Sequence, residues 1–487
     1  MDVRFPPTGP RGLPGRLAGL PDARAPWARS GAYRAVYGSS PCRVRVNSPL
    51  YRGSSHPRKP ERPVVPCEDT HRTTGRFHVG TPAAGRADDA ARHIAGIDRD
   101  RLAATLVDLI GLPSVNPFGA PPVGEAGERK VADYLGRRLE GLGWACETTE
   151  FAPGRYNLVA RSPRARATGH GRSLMLAGHM DTVETTGYPE ALSGTVRDGR
   201  VYGRGACDMK AALACYVEVA EVLAERGLPP NGELLIAGVG DEEYRQEGAK
   251  ALGRSGPRVD GVIVGEPTEL RICHATKGLA AYDLTVTGRA THSSVPHHGT
   301  NAVLAAAELL GFFPRYARQL ERHHHPLLGH PTVNVGTIEG GVKPNIVPSR
   351  CRVGLSRRLL PGETPAVVRA EIAELLGAPD DRLPWSLGDA WWTVEPYELP
   401  DDHALAEVVR AAATEEGIPD TAPHGFPASS DAAYFGSPVL LFGPGSLAQA
   451  HSLDEWVAVD DMVTATAVYL RAALALPGLP SEAGGAP

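Results

Sequence analysis

From about residue 97 onward the chain carries two kinds of apolar pattern. Leu102, Leu106, Leu109 and Ile110 recur at helical spacing over 98–111, and Val131, Tyr134, Leu135 and Leu139 do so over 128–142. Between such stretches lie short continuous apolar runs: NLVA at 157–160, LMLA at 174–177, ELLIAGV at 233–239 and GVIV at 261–264. Runs this short and this apolar predict strands, the longer ones buried on both faces. A periodic stretch over 209–226 predicts a helix that ends at Gly227, with Pro229 and Pro230 behind it as a stop. Strands alternating with helices predict an α/β fold: a mixed, largely parallel sheet flanked by helices. In such sheets ligands gather past the carboxyl ends of strands. His179, Glu242, Glu243 and Glu266 each follow one of these predicted strands.

Near Gly278 the texture changes. Residues 279–287 alternate like a half-exposed strand, 301–312 are helical, 332–338 and 351–355 are strand-like, and 363–376 are helical again. This β-α-β-β-α order predicts an α+β layer inserted into the larger unit. The chain then returns with a helix over 404–416, a strand over 439–442 and a last helix over 461–476. The expected organisation is a catalytic domain over 96–278 and 389–487, interrupted by a second domain over 279–388. Residues 1–95 hold 13 prolines and no sustained periodicity, which predicts a disordered Pro/Arg-rich extension. The segment 478–487 is expected to fray.

Charge sharpens this division. The net charge of -5 conceals 16 Lys+Arg against 7 Asp+Glu in residues 1–95, a balance of +9. The remainder, 35 basic and 49 acidic groups, stands at -14. An acidic body gives no support to nucleic-acid binding and suits a protein that gathers carboxylates around cations. No apolar run reaches the ~18 residues of a spanning helix, so no membrane partner is expected. The amino-terminal stretch has no apolar core of a secretory signal. Seven cysteines without a CxxC pair predict reduced thiols and a cytoplasmic protein.

The chemistry concentrates in 173–210. His179 and Asp181 lie two apart, so on an extended strand end they share a direction. Asp208 follows a Gly-rich turn and precedes a helix. With Glu243, Glu266 and His451 these make two imidazoles and three carboxylates at ends of elements, a donor set for Zn²⁺, or for Co²⁺ or Mn²⁺ in its place. Five ligands exceed one ion and suit two divalent ions if one carboxylate bridges. Asp241-Glu242-Glu243 supplies adjacent carboxylates past a buried strand, one to bind metal and one to act as general base. His292 in THSSVP, and Arg358 with Asn345, are further candidates. The arginine and asparagine suit a substrate carboxylate. The run His323-His324-His325 reads as a solvated patch.

The ordered blocks GHMDTV, GRGACDMKAAL, DEE, GEPT, THSSVP, NIVPSRC, RRLLPG and FGPGSLAQAHSLDEW resemble those of the dinuclear zinc amidohydrolases and metallopeptidases, peptidase family M20. That family includes acetylornithine deacetylase, succinyl-diaminopimelate desuccinylase, aminoacylase-1 and glutamate carboxypeptidase. The resemblance spans about 98–475. It implies Asp208 as the bridging ligand, His179 and Glu266 for one ion, and Glu243 and His451 for the other. It implies Asp181 as the group that orients His179, and Glu242 as the base acting with a metal-bridging water. His292 resembles the lid histidine that reaches the partner's active site in a homodimer. Asn345 and Arg358 resemble groups that bind the substrate carboxylate, and Gly443 is expected to line the cleft. The implied activity is hydrolysis of the amide of an N-acyl amino acid. Carboxypeptidase or dipeptidase action on a short peptide is the alternative within the class, and a metal-free scaffold the alternative outside it. Two departures, Ser356 before the lid arginine and the segment Ala428-Ser429-Ser430-Asp431, fall where substrates are discriminated.

Overall fold

Four parallel strands run side by side in the order Glu233–Val239, Ser173–His179, Gly261–Val264 and Val439–Leu441. Each is apolar almost throughout and buried along its length, as strands covered on both faces must be. In this computed structural model the described residues are 96–119, 127–163, 172–226 and 232–475. The expected extension over 1–95, the helix stop at 227–230 and the tail at 478–487 lie outside them.

Flanking strands complete a nine-stranded mixed sheet. Ala145–Ala152 and Arg155–Arg161 add antiparallel on one side. Ile272–Thr276 lies on the other side, with Tyr397–Glu398 and Pro423–Phe426 paired to it. The helix Lys210–Arg226 is buried along most of its length and packs against Ser173–His179. Its Tyr216 hydroxyl donates to the carbonyl of Ala177 at 3.0 Å. Helices Arg99–Ile110 and Val459–Ala475 pack against it in turn. The first of these starts at Asp98, whose side chain accepts from the N–H groups of Asp100 and Arg101, the usual way to satisfy free amides at a helix start. The buried amine of Lys210 donates to Leu109 O at 2.9 Å and Leu112 O at 2.8 Å, holding the carbonyl end of that same helix.

A second, antiparallel sheet is built from Thr332–Gly340, Arg350–Leu359, Gly278–Thr287 and Trp385–Leu387, with Trp392–Val394 also paired to Gly278–Thr287. Helices Ala302–Leu310, Phe313–Leu320 and Pro365–Leu376 supply it with its own core, in which Tyr282, Leu284, Val353, Phe313 and Ile372 meet. The strand Gly278–Thr287 departs from the expected alternation, because its first half is buried throughout. Leu279 on its second face joins the wall of a cavity shared with the larger sheet. Thr332–Gly340 is an edge strand, exposed along nearly its whole length, with Ile338 53% accessible. The helix Phe313–Leu320 and the strand Ala145–Ala152 were not foreseen. The latter, ACETTEFA, has no apolar alternation and is held by edge pairing.

Among the described residues no helix is long and apolar enough to cross a membrane, and Cys146, Cys207, Cys215, Cys273 and Cys351 are free thiols.

Candidate metal centre and active site

Parallel strands end on one edge of a sheet, so side chains just past those ends converge. His179 closes its strand, Glu242 and Glu243 follow the neighbour on one side, and Glu266 follows the neighbour on the other. Asp208 comes in from the turn before the helix Lys210–Arg226, and His451 from the loop beyond Val439–Leu441. The result is two groups sharing one carboxylate: His179, Asp208 and Glu266, and Asp208, Glu243 and His451, with ligand atoms in each group within 4.8 Å of one another.

Asp208 faces both ways. Its Oδ1 stands 2.9 Å from His179 Nε2, and its Oδ2 stands 3.3 Å from His451 Nε2. His451 Nε2 is also 3.2 Å from Glu243 Oε2. The His179 ring is fixed from behind, since Nδ1 lies 2.8 Å from the carbonyl oxygen of Asp181. A carbonyl only accepts, so Nδ1 carries the hydrogen and a neutral ring turns its Nε2 lone pair towards a carboxylate. That contact requires a cation between the two atoms, or else a proton. A second sign points the same way: Glu266 Oε1 is buried without a hydrogen-bond partner. The donor set and the orphaned oxygen fit divalent cations.

The electrostatics describe the same excess of negative charge. Burial, reinforced by Asp208, raises the pKa of Glu243. Burial raises Glu242 and Glu266 well above the carboxylate range, with Glu266 adding to the rise of Glu242 and Asp208 to that of Glu266. Burial opposes a charged His179, yet its contact with Asp208 and the nearby Glu242 and Glu266 hold its pKa well above normal. Asp208 and Glu243 push His451 up to about 10. Burial takes Asp431 up to about 8, with Asp181 adding to the rise, and its Oδ1 also lacks a partner. Cations bound at the two groups would offset this excess of negative charge.

Asp181 does more than the one job expected of it. Its main-chain carbonyl orients His179, while its carboxylate lies 3.9 Å from Nδ1. The carboxylate instead accepts from the N–H groups of Glu242 at 3.2 Å and Glu243 at 3.1 Å, and from Asn116 Nδ2 at 2.7 Å. It therefore fixes the turn that presents the paired glutamates. Asn116 also reaches Asp241 at 3.1 Å, and Arg155 ties Asp241 to Glu128 in a buried cluster beneath that turn. Asp241 has φ +71°, a left-handed conformation that this clamp sustains. None of Asn116, Glu128 and Arg155 was singled out from sequence.

The cavity at this edge is lined by Glu242 and ligand carboxylates on one side and by Arg358, Ser429 and Trp392 on another. Arg358 donates to Ser429 Oγ at 3.1 Å. Burial lowers its pKa, and Glu242 opposes the change. Three expected residues stand elsewhere. His292 is exposed, accepts from its neighbour Ser294 N at 3.2 Å, and does not line this cavity. Asn345 is exposed too, its carbonyl bonded to Ser293 N at 3.1 Å. Gly443 is buried rather than at the cleft wall: a Cβ there would stand 2.4 Å from the carbonyl oxygens of Gly265 and Glu266. It is a glycine because two chains pass at that distance. The histidine run does not gather a metal set. His325 Nδ1 accepts from Leu327 N and Leu328 N, and His324 packs edge-on to His330. A larger concavity, between 339–342 and 346–352, holds none of the ligand residues.

A sheet that delivers imidazoles and carboxylates to one edge, beside an arginine-bearing cleft, defines a metal-dependent hydrolase of the α/β class. The chain belongs to peptidase family M20/M25/M40, whose model matches residues 175–475. An acetylornithine deacetylase of Myxococcus xanthus is 33% identical over 382 residues, covering 76% of this chain and 96% of that protein. The acetylornithine deacetylase of Vibrio campbellii is 31% identical over 355 residues, 70% of this chain and 89% of its own. Among solved structures, a tripeptidase from Staphylococcus aureus superposes with a TM-score of 0.63 at 20% identity, covering 78% of this chain and 99% of that one. At that identity the likeness shows the fold alone. Membership of the family implies divalent metal ions.

Proposed function

We propose that the protein hydrolyses the amide of N-acyl amino acids with two divalent ions, zinc foremost and cobalt or manganese as substitutes. The carrying observation is Asp208, whose two oxygens face two imidazoles in two ligand groups that share it. His179, Asp208 and Glu266 would hold one ion, and Asp208, Glu243 and His451 the other. Such ions, when bound, polarise a carbonyl and acidify a water.

The chain's own residues do the rest. Glu242, half-buried in the cavity wall with a raised pKa, takes a proton from the attacking water and hands it to the leaving amine. Asp181 and Asn116 keep its turn in place. Arg358, braced by Ser429, binds the substrate carboxylate through paired hydrogen bonds. The roles proposed for 96–278 with 389–487, and for 279–388, are catalytic domain and lid with dimerisation surface. The exposed edge strand Thr332–Gly340 supports a homodimer. The distance of His292 and Asn345 from the cavity of their own chain supports a role for their loop across that dimer. The free thiols support a cytoplasmic location.

The test is a panel of N-acyl amino acids and dipeptides, run with Zn²⁺ or Co²⁺ on wild type and Glu242→Gln, with bound metal counted. The variant retains two ions per chain and loses roughly 10²–10⁴-fold in kcat. A wild type that takes up no metal and cleaves nothing sinks the proposal. Preference for dipeptides moves the activity to the peptidase branch.

A further inference from the structure

Once the ligand groups and Glu242 are set aside, the cavity wall is mostly apolar. Leu279, Trp392, Phe426 and Leu447 line it. Trp392 belongs to an aromatic run that leads from the cavity to solvent. Its ring lies 5.7 Å from Tyr244 and 6.1 Å from Trp391, and Tyr244 meets Phe118 edge-on at 6.1 Å. Phe118 and Trp391, the outer members, are 44% and 45% exposed. Tyr244 directly follows Glu243, while Trp392 comes from the strand paired to Gly278–Thr287. The run thus bridges the paired-glutamate turn and the second sheet, beside the place where an amide must lie to meet Glu242.

The charges bear on what that wall accepts. The carboxylates lining the cavity are Asp208, Glu242, Glu243 and Glu266. All four are already taken as ligands or base under the proposed function, on which this inference rests. No acidic side chain among the described lining residues is left for a terminal ammonium, and the remaining charged group, Arg358, has the same sign as one. Aromatic faces attract cations, but Tyr244 already carries the Arg245 guanidinium 4.9 Å from its centroid.

We propose that the substrate is an N-acyl amino acid with an apolar side chain, aromatic foremost, and that Trp392 is a specificity-determining residue packing against it. This departs from the ornithine in the names of the sequence relatives. The energy of such selection is burial of the side chain against the indole, which favours a phenyl group over a methyl by roughly 10- to 100-fold.

The experiment compares kcat/KM for N-acetylphenylalanine, N-acetylleucine, N-acetylalanine and N-acetylornithine on the zinc-loaded protein, and on Trp392→Ala and Trp392→Phe. Calorimetric binding of the same four compounds to Glu242→Gln gives a readout independent of turnover. Wild type prefers N-acetylphenylalanine to N-acetylornithine by at least about 10-fold. In Trp392→Ala the ratio of N-acetylphenylalanine to N-acetylalanine falls by about 10-fold, and Trp392→Phe restores much of it. A wild-type preference for N-acetylornithine overturns this inference and leaves the hydrolase intact. An unchanged ratio in Trp392→Ala overturns the assignment of the wall. A protein that cleaves and binds none of the four overturns this inference, and the dipeptides and metal count of the first panel then decide whether the hydrolase reading stands.

Discussion

Glu455 Oε1 accepts from the main-chain N–H of Asp208 at 3.0 Å, across 247 positions of sequence. The same oxygen accepts from Cys207 N at 2.8 Å. Its second oxygen takes Gly205 N at 3.1 Å and Arg204 Nη1 at 2.6 Å. One buried carboxylate thus organises the whole turn that carries the shared ligand. Glu455→Gln puts an N–H donor where two N–H donors already point. Metal affinity is expected to fall by about 10- to 100-fold, as for other groups that orient a ligand. Competition with a chromogenic chelator measures it, and an unaltered affinity would mean that Arg204 and the glycines shape the turn alone.

Arg155 bridges two buried carboxylates. Its Nε donates to Glu128 Oε2 at 2.9 Å, and Nη1 to Asp241 Oδ1 at 2.9 Å. Arg155→Met leaves both uncompensated, and removing one partner of a buried ion pair costs about 3–5 kcal/mol. Denaturant melts should register that loss. Adding Glu128→Gln should recover part of it, and if the double variant is no more stable than the single one, the charge argument is wrong.

Gly443 sits where two stretches of main chain touch, so Gly443→Ala must move the backbone of Gly265 and Glu266. Overpacking of this kind costs roughly 1–3 kcal/mol, and Glu266 moves with it. At Gly178 the nearest atom to an added Cβ is the flexible end of Met209, at 2.7 Å. The order of melting temperatures is therefore wild type, Gly178→Ala, then Gly443→Ala. Calorimetry on all three checks the order, and metal titration shows whether the last alone loses affinity.

His274 provides a pH signature. It is 1% exposed, neither ring nitrogen has a hydrogen-bond partner, and the nearest carboxylate oxygen, of Asp401, is 3.8 Å away. Burial lowers its pKa below 6.5, and Asp401 only partly offsets this. Between the lowered folded pKa and 6.5 the unfolded chain binds more protons than the folded one. Stability therefore falls as pH drops below about 6.5, and rises again as pH returns. His274→Leu removes this slope, which urea melts at a series of pH values will follow. An equally steep acid limb in the variant would assign it to other groups.

How much of this could be read from sequence depends on where each residue's job is written. The runs LMLA, ELLIAGV and GVIV declare buried strands because nothing else fits their continuous apolarity. Position past a strand end then marks His179, Glu243 and Glu266. Asp208 and His451 are marked more weakly, as ligand-type residues near ends of predicted elements, and the resemblance adds how the five divide into two groups. Asp181 shows the limit. Spacing put it on the side of His179, where its carbonyl does orient the ring, but that its carboxylate clamps the Glu242–Glu243 turn is set by chain folding after the strand. Glu455 and Arg155 are ordinary charged residues in sequence, and only long-range pairing makes them part of the site. Trp392 lies in a stretch, 385–398, of short strands too brief for any periodicity to register.

The two ligand groups differ in when a chain emerging from the ribosome can complete them. His179, Asp208 and Glu266 are all present once the sequence has been made as far as position 266. His451 and the Glu455 that braces Asp208 arrive only near the carboxyl terminus, after the strand Val439–Leu441 has been inserted beside Gly261–Val264. A partly synthesised chain therefore carries the first ligand group without the clamp on its shared carboxylate, and the second group and that clamp are complete only once Glu455 has been made.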